Sequence, residues 1–175
     1  QLKLHVDEEQ FLRHLMHDAF YSEKIESLAM AIYEHNKSIE DLNCIMTWQE
    51  LSEEFKNSIR NQAKNIPNAL LKINYDVVAV KESEVFMEFT AKELEILAKD
   101  EHKSWYNYRK KVGWKYGEVK DNTKKIDPEL VAWNNLTNNK KNKIYEMVKA
   151  WPEILAKSNF KIERLKFMCY CETKL

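Results

Sequence analysis

Glycine is scarce in this chain: Gly113 and Gly117 are the only two among 175 residues. Phosphate-binding loops of the dinucleotide and P-loop types need several closely spaced glycines. Folds rich in β-hairpins also use glycine in their tight turns. The sequence therefore excludes the glycine-rich nucleotide sites and disfavours a sheet-rich fold.

Cysteine, net charge and long apolar runs are also limited. The three cysteines, Cys44, Cys169 and Cys171, cannot all pair, so we expect a reducing, cytoplasmic compartment and no disulfide framework. The formal net charge is zero, so we expect no nucleic-acid partner. No apolar run approaches the roughly 18 residues of a membrane span, and no secretory signal is visible, so we expect no membrane partner.

The neutral total hides a charge asymmetry. Residues 1–102 carry 11 basic and 20 acidic side chains, whereas residues 103–149 carry 12 basic and 5 acidic ones. Eight of the basic residues fall within one short stretch: Lys103, Arg109, Lys110, Lys111, Lys115, Lys120, Lys124 and Lys125. This pattern is typical either of a solvated face or of a site for an anion.

An internal repeat organises the chain. Residues 48–75 align without a gap with residues 133–160, with ten identities in 28 positions, among them Trp48/Trp133, Pro67/Pro152 and Asn74/Asn159. Ser52 and Thr137 then fall where a helix N-cap is expected. In each copy we predict a helix, a second short helix that begins at the proline, and a short strand.

A further helix precedes each tryptophan. In the first copy we predict it from Ile25 to about Asn36, after a separate amphipathic helix over residues 7–20. In the second copy Thr90 and Glu93 form a capping box, and the helix runs to about Val112. Aligning Leu28-Ala29 with Leu97-Ala98 places Tyr33 opposite His102 and Asn36 opposite Trp105.

These patterns predict a mainly α fold of two tandem repeat-related helical units with short antiparallel β-strands. We place an N-terminal helix and the first unit in residues 1–80, and the second unit, with an insert that begins GWKYG, in residues 81–175. We expect the two units to pack as one compact body.

Residues 93–160 resemble the ryanodine receptor repeat, or RyR domain. The resemblance rests on a spaced pattern: Leu97-Ala98, His102, Trp105, Gly113-Trp114, Tyr116-Gly117, Asp121, Lys124-Lys125, Pro128, Leu130, Trp133 and Leu136. Residues 25–60 look like a shorter, degenerate copy of the phage type. The resemblance implies an adenine nucleotide ligand, because paired RyR repeats in calcium-release channels can hold one at this tryptophan and its neighbours.

The chain also departs from the family pattern. It has Asp127-Pro128 where the family often has His-Pro, and Ala132-Trp133 where Pro-Trp or Pro-Tyr is usual. Ile144-Tyr145 replaces an Asp-Arg pair of the middle of a helix. If those polar residues matter to a family ligand, the ligand of this chain differs.

The candidate ligand site follows from helical spacing. His102, Trp105 and Arg109 form one stripe on the predicted helix, and a turn bearing Trp114 and Tyr116 follows. A purine stacks on an indole, while a guanidinium and lysines meet phosphates. The predicted ligand-binding residues are His102, Trp105, Arg109, Trp114, Tyr116, Lys120, Lys124 and Lys125. The alternative is that Trp105 and Trp114 are core residues.

Other constellations are weaker. The i, i+3 pair His14 and His17 is common on amphipathic helices and lacks the further ligands of a metal site. The C-x-C of Cys169 and Cys171 lacks the spacing of a zinc site, so we expect no metal and no cofactor. No nucleophile motif is present, so we expect no enzyme. The leading hypothesis is a module that binds a small phosphorylated purine, such as an adenine nucleotide, ADP-ribose or a cyclic nucleotide signal, as a sensor or sequestering protein in bacterial or phage defence. The alternative is a protein–protein interaction module or homo-oligomer.

Overall fold

The computed structural model describes residues 8–39, 46–81 and 87–165, without the side chains of residues 8–19 and 39. Its long helices are α1 (Glu8–Ile39), α2 (Glu53–Leu71), α3 (Ala91–Lys111) and α4 (Asn138–Lys149), and α5 (Trp151–Ala156) is short. The strands are β1 (Tyr75–Ala79), β2 (Lys115–Tyr116), β3 (Ile126–Asp127) and β4 (Phe160–Arg164). The mainly α fold with a short antiparallel sheet is confirmed.

The elements after each tryptophan follow one order, except that the helical segment is a single helix, α2, in the first unit and two helices, α4 and α5, in the second. Trp48–Glu50 and Trp133–Asn135 each form one 3-10 turn, and a helix and a strand follow. Ser52 accepts a hydrogen bond from the Phe55 amide, and Thr137 accepts one from the Lys140 amide, as expected of N-caps. Asn74 and Asn159 each take a left-handed backbone conformation just before their strand, with φ of 63° and 61°.

The two strands pair about a pseudo-two-fold axis. β1 and β4 are antiparallel, and Val77 lies opposite Ile162, its own counterpart in the repeat. The bonds at the two ends are also equivalent: the Val80 amide donates to Asn159 and the Leu165 amide donates to Asn74, both at 2.9 Å. Local backbone geometry therefore agrees with the sequence repeat.

The helices before the tryptophans are equivalent too. Tyr33 Oη donates to the Met46 carbonyl at 2.9 Å, and His102 Nε2 lies 2.7 Å from the Val131 carbonyl. Each of these carbonyls belongs to the second residue before a repeat tryptophan, so the same position on each helix holds the same chain segment. Tyr33 and His102 also contact Trp48 and Trp133, with ring centroids 5.9 Å apart in both cases.

Two details of the predicted helices are wrong. The predicted helices over 7–20 and from Ile25 are one continuous helix, α1, because no glycine or proline interrupts residues 20–25. Pro67 lies inside α2 rather than ending it. The proline removes only one amide donor, and burial of the residues around it stabilises the continuous helix, since Ile66, Ala69 and Leu70 are fully buried. In the second unit the break is present, with Pro152 in the first turn of α5.

The core is one hydrophobic cluster with side chains from both units. Leu28, Leu70, Leu97, Leu155 and Phe160 are all fully buried in it. α3 lies between α2 and α4 and packs against both. No helix in the described ranges is long and apolar enough to cross a membrane.

Candidate functional site

The last two turns of α3 and the loop that follows bring together most of the predicted site residues. α3 begins at the predicted capping box, in which Thr90 and Glu93 bond each other's backbone amides. Gly113, with φ of 93°, ends the helix and turns the chain into the loop. Gly117 packs so closely against Ile126 that a side chain there would collide with it. The two glycines therefore allow the turn out of α3 and the close packing of the loop at Ile126.

Arg109 lies at the centre of this region. Its guanidinium lies 4.2 Å from the ring centroid of Trp114 and 5.6 Å from that of Trp105, so it is held between two indoles. The residue is only 8% exposed. Burial lowers the pKa of Arg109, and the charges of Asp127 and Glu54 act in the opposite direction. With a reference pKa above 12, the group remains a cation at neutral pH.

The guanidinium of Arg109 has no acceptor within the described ranges. Its buried Nε–H makes no hydrogen bond, and no described carboxylate lies within ion-pair distance of it. A buried charge is costly unless it is paired and hydrogen-bonded. An anion that reached the guanidinium would offset this cost.

Trp105 and His102 form the neighbouring aromatic pair. Their rings are stacked, with centroids 5.7 Å apart and 27° between the planes, and Trp105 is half-buried. Burial lowers the pKa of His102, so its imidazole is neutral at pH 7. A carbonyl can only accept, so the nitrogen facing Val131, Nε2, carries the proton. His102 thus stacks against the Trp105 indole and offers no charge to a ligand.

Trp114 is buried, and its indole N–H donates to Glu54 Oε1 at 3.0 Å. The other oxygen of Glu54 lies 3.1 Å from Lys125 Nζ, which also donates to the Val112 carbonyl at 3.0 Å. The Trp114 hydrogen bond, followed by Lys125, lowers the pKa of Glu54. Trp114 and Lys125 are therefore occupied in tying the loop to α2.

The other predicted site residues of the loop, Tyr116, Lys120 and Lys124, are exposed. Tyr116 is 59% exposed. Lys120 Nζ lies 3.8 Å from the fully buried Asp127, and Lys124 Nζ lies 3.6 Å from Asp121. Each lysine thus has a carboxylate neighbour but keeps its ammonium accessible to solvent.

Two acidic residues of this region were missed by sequence reasoning. Glu54 comes from the first unit and reaches the site only through tertiary packing, so no local pattern could identify it. Asp127 was noted only as a departure from a family pattern; its Oδ1 accepts the Glu129 amide at 2.8 Å. No local sequence pattern indicated that Asp127 would be buried beside Arg109.

No group of three or more His, Cys, Asp or Glu side chains is placed to hold a metal ion in the part of the chain that the structure describes. The side chains of His14 and His17 and the residues Cys44, Cys169 and Cys171 lie outside that part.

Comparison with known proteins gives one finding. No curated protein matches the chain. The model of the RyR domain matches residues 80–164, which hold α3, the loop, α4, α5 and β4, so this part of the chain is similar to the RyR domain.

Proposed function

We propose that the protein is a non-enzymatic module that binds a small phosphorylated purine, with Arg109 as the receptor for a phosphate. One observation carries the proposal: a buried guanidinium lies between two indoles and has no hydrogen-bond or ion-pair partner among the described residues. A phosphate oxygen would offset the cost of that buried charge through charge-assisted hydrogen bonds.

The purine would stack beside the phosphate on Trp105. This indole is half-buried, lies 5.6 Å from the guanidinium and is backed by the neutral ring of His102. The exposed ring of Tyr116 offers a second apolar surface on the loop. Base–aromatic stacking contributes about 1–3 kcal/mol per base, so a ligand with both a purine and a phosphate gains from both features.

The loop lysines would adapt to the ligand. On ligand binding, Lys120 and Lys124 would give up their contacts with Asp127 and Asp121 and contact a phosphate oxygen instead. The loss in free energy is small, because exposed ion pairs contribute only about 0–1 kcal/mol. Lys125 is held by Glu54 and Val112, so it stabilises the loop and adds positive potential.

The resemblance to the RyR domain supports this ligand class. The same resemblance and the internal repeat support a finer proposal: residues 25–60 are a degenerate phage-type copy of the domain, and the protein is a cytoplasmic sensor or sequestering protein of defence signalling. The ligand is then an adenine nucleotide, ADP-ribose or a cyclic nucleotide.

A protein–protein interaction module is the second candidate. The loop that carries Tyr116 also exposes Val119, which is 78% exposed. Exposed apolar side chains at a loop tip favour contact with another protein or a second copy of the chain. Light scattering of the wild type and of Val119→Ser distinguishes this candidate: a mass that falls to the monomer in the variant, without any nucleotide effect, supports it.

Calorimetric titration with ADP-ribose, ADP and adenosine tests the proposal. We expect the phosphorylated ligands to bind about 10–100-fold more tightly than adenosine, and Arg109→Gln to remove most of that difference. Arg109→Lys keeps the charge without the planar fork and should be intermediate.

Arg60→Gln is the matched control. Arg60 also lies over an indole, that of Trp48, but its guanidinium is paired with Glu26 and Glu53. It should leave binding unchanged. Equal affinity for ADP and adenosine, or equal losses in the Arg109 and Arg60 variants, contradicts the proposal.

A further inference from the structure

A polar groove of about 450 Å³ runs along the seam between α2 and α3. Its inner wall carries amides, a hydroxyl, a carboxylate and one aromatic ring, contributed by Asn61, Asn65, Asp100, Ser104, Asn107 and Tyr108. Lys72, Lys103 and Lys111 stand along it. These three lysines form the basic margin of a groove whose other hydrogen-bonding groups are uncharged apart from Asp100.

The polar groups of the groove are only loosely paired with one another. Asn61 Nδ2 lies 3.5 Å from Ser104 Oγ, and Asn65 Nδ2 lies 3.4 Å from Asp100 Oδ2, both at the long limit of a hydrogen bond. Lys72 pairs with Asp100, whereas Lys103 and Lys111 have no ion pair among the described residues. The groove therefore has donors and charges to offer a ligand.

A buried carboxyl lies behind this groove. Glu101 is 2% exposed, and neither of its oxygens has a hydrogen-bond partner of good geometry in the described structure. It lies beside Asn65, whose amide partly stabilises the ionised form, and Asp100, whose charge opposes it. In the repeat alignment its counterpart is Ile32, which is buried in the core. The equivalent buried position of the first unit therefore holds an apolar side chain in place of a carboxyl.

The pseudo-symmetry supplies a second groove for comparison. The α1–α5 groove, of about 500 Å³, is lined by Ala31, Glu34, His35, Ser38, Glu153 and Lys157, among others. The first four are the repeat counterparts of Asp100, Lys103, Ser104 and Asn107, and Lys157 is that of Lys72. The scaffold thus produces two related grooves, each between a helix of the first unit and a helix of the second. In the α1–α5 groove Glu34 replaces Lys103, Ala31 replaces Asp100, and no lysine corresponds to Lys111. The basic margin is special to the α2–α3 groove.

We propose that the α2–α3 groove is a second binding site, for a phosphorylated sugar. The amide, hydroxyl and carboxylate groups that line the groove match the alternating donors and acceptors of sugar hydroxyls. Lys103, one turn from Asn107 on α3, would meet the phosphate, and the Tyr108 ring offers an apolar side for the sugar face.

This site is separate from the Arg109 site. Asp100, Ser104, Asn107 and Lys111 form a stripe on the α2 side of α3, whereas His102 faces the Val131 segment and Arg109 faces the loop. The proposal does not depend on purine binding, and variants of the two sites report on them independently.

Ribose 5-phosphate is the probe, with ribose and inorganic phosphate as its parts. Calorimetric titration should show ribose 5-phosphate binding at least tenfold more tightly than either part. Lys103→Gln should weaken it by about fivefold to tenfold, which corresponds to roughly 1–1.4 kcal/mol. Asn61→Leu, which removes an inner donor, should weaken ribose 5-phosphate more than inorganic phosphate.

Two controls make the outcome decisive. Glu34→Gln changes the counterpart of Lys103 in the α1–α5 groove and should leave binding unchanged. Arg109→Gln should also leave ribose 5-phosphate binding unchanged while it weakens purine nucleotides. Absence of binding, unchanged affinity in Lys103→Gln, or loss of binding in Arg109→Gln overturns the proposal, the last because it assigns the ligand to the other site.

Discussion

Two charged side chains on one helix, Glu101 and Arg109, are buried without a close partner among the described residues. They lie two turns apart on α3, and at both positions burial disfavours the charged form of the side chain. Burial raises the pKa of Glu101 to about 8, so this carboxyl is protonated at neutral pH. Arg109 has a pKa too high to lose its proton and stays charged. The acid therefore neutralises itself, whereas the arginine stays charged between its two indoles.

The raised pKa of Glu101 has a consequence for stability. The unfolded chain releases this proton near pH 4.5, while the folded chain holds it until about pH 8. Between those values the native state binds more protons, so the free energy of unfolding falls as pH rises, by up to about 1.4 kcal/mol per pH unit. Below pH 4.5 and well above pH 8 this contribution is constant.

Glu101→Gln should remove that contribution. Urea denaturation from pH 5 to pH 9 should show a variant that is more stable than the wild type at pH 9, with a difference that shrinks towards pH 5. The difference between the two curves isolates Glu101 from its neighbours Asp100 and Lys72 and from His102, whose lowered pKa acts in the opposite direction. The exposed Glu95→Gln serves as the control, and a wild-type profile in Glu101→Gln contradicts the assignment.

At the scale of elements, the local sequence predicted those features of the helices and strands that depend only on neighbouring residues. Thr90, Ser52 and Thr137 cap their helices as predicted, because a cap depends on a residue and its next three neighbours. The strands also lie where the repeat placed them. The continuity of α2 through Pro67 was not predictable from the local sequence, because it depends on the burial of the residues around the proline.

Asn74 and Asn159 are the clearest test of element equivalence. Each joins a helical segment to a strand with a left-handed backbone, which costs a residue with a Cβ roughly 1–2 kcal/mol and costs asparagine less. Asn74→Ala and Asn159→Ala should each lower the free energy of unfolding by about 1 kcal/mol. The glycine variants are the matched controls and should stay within about 0.5 kcal/mol of the wild type. Urea denaturation measures both, and unchanged alanine variants would contradict the backbone assignment.

At the scale of the whole molecule, the repeat explains the fold, and the departures from it lie mainly on and around one helix. The pseudo-two-fold axis relates β1 to β4 and the Tyr33 hydrogen bond to that of His102. The loop after α3, the carboxyl of Glu101 and the lysines at positions 103 and 111 have no equivalent in the first unit. Features that the shared scaffold does not require are therefore concentrated on and around α3.

Sequence reasoning found the members of the Arg109 region but not their arrangement. Helical spacing brought Trp105 and Arg109 together, and the glycines predicted the turn to Trp114. It did not predict that Trp114 and Lys125 would be engaged by Glu54, because that contact joins two units. Nor did it indicate that Arg109 would be buried, since burial depends on the loop that covers it.

The central claim is that Arg109 receives the phosphate of a purine ligand, and its Nε–H group reports on this directly. In a nitrogen–proton NMR spectrum of the arginine side chains, assigned with Arg109→Lys, the Nε–H signal of Arg109 should move on addition of ADP-ribose or ADP, as a new hydrogen bond to an anion requires. It should remain in place with adenosine, and the Arg60 signal should not move. If a nucleotide binds while the Arg109 signal is unchanged, or if no phosphorylated purine binds, the claim is wrong.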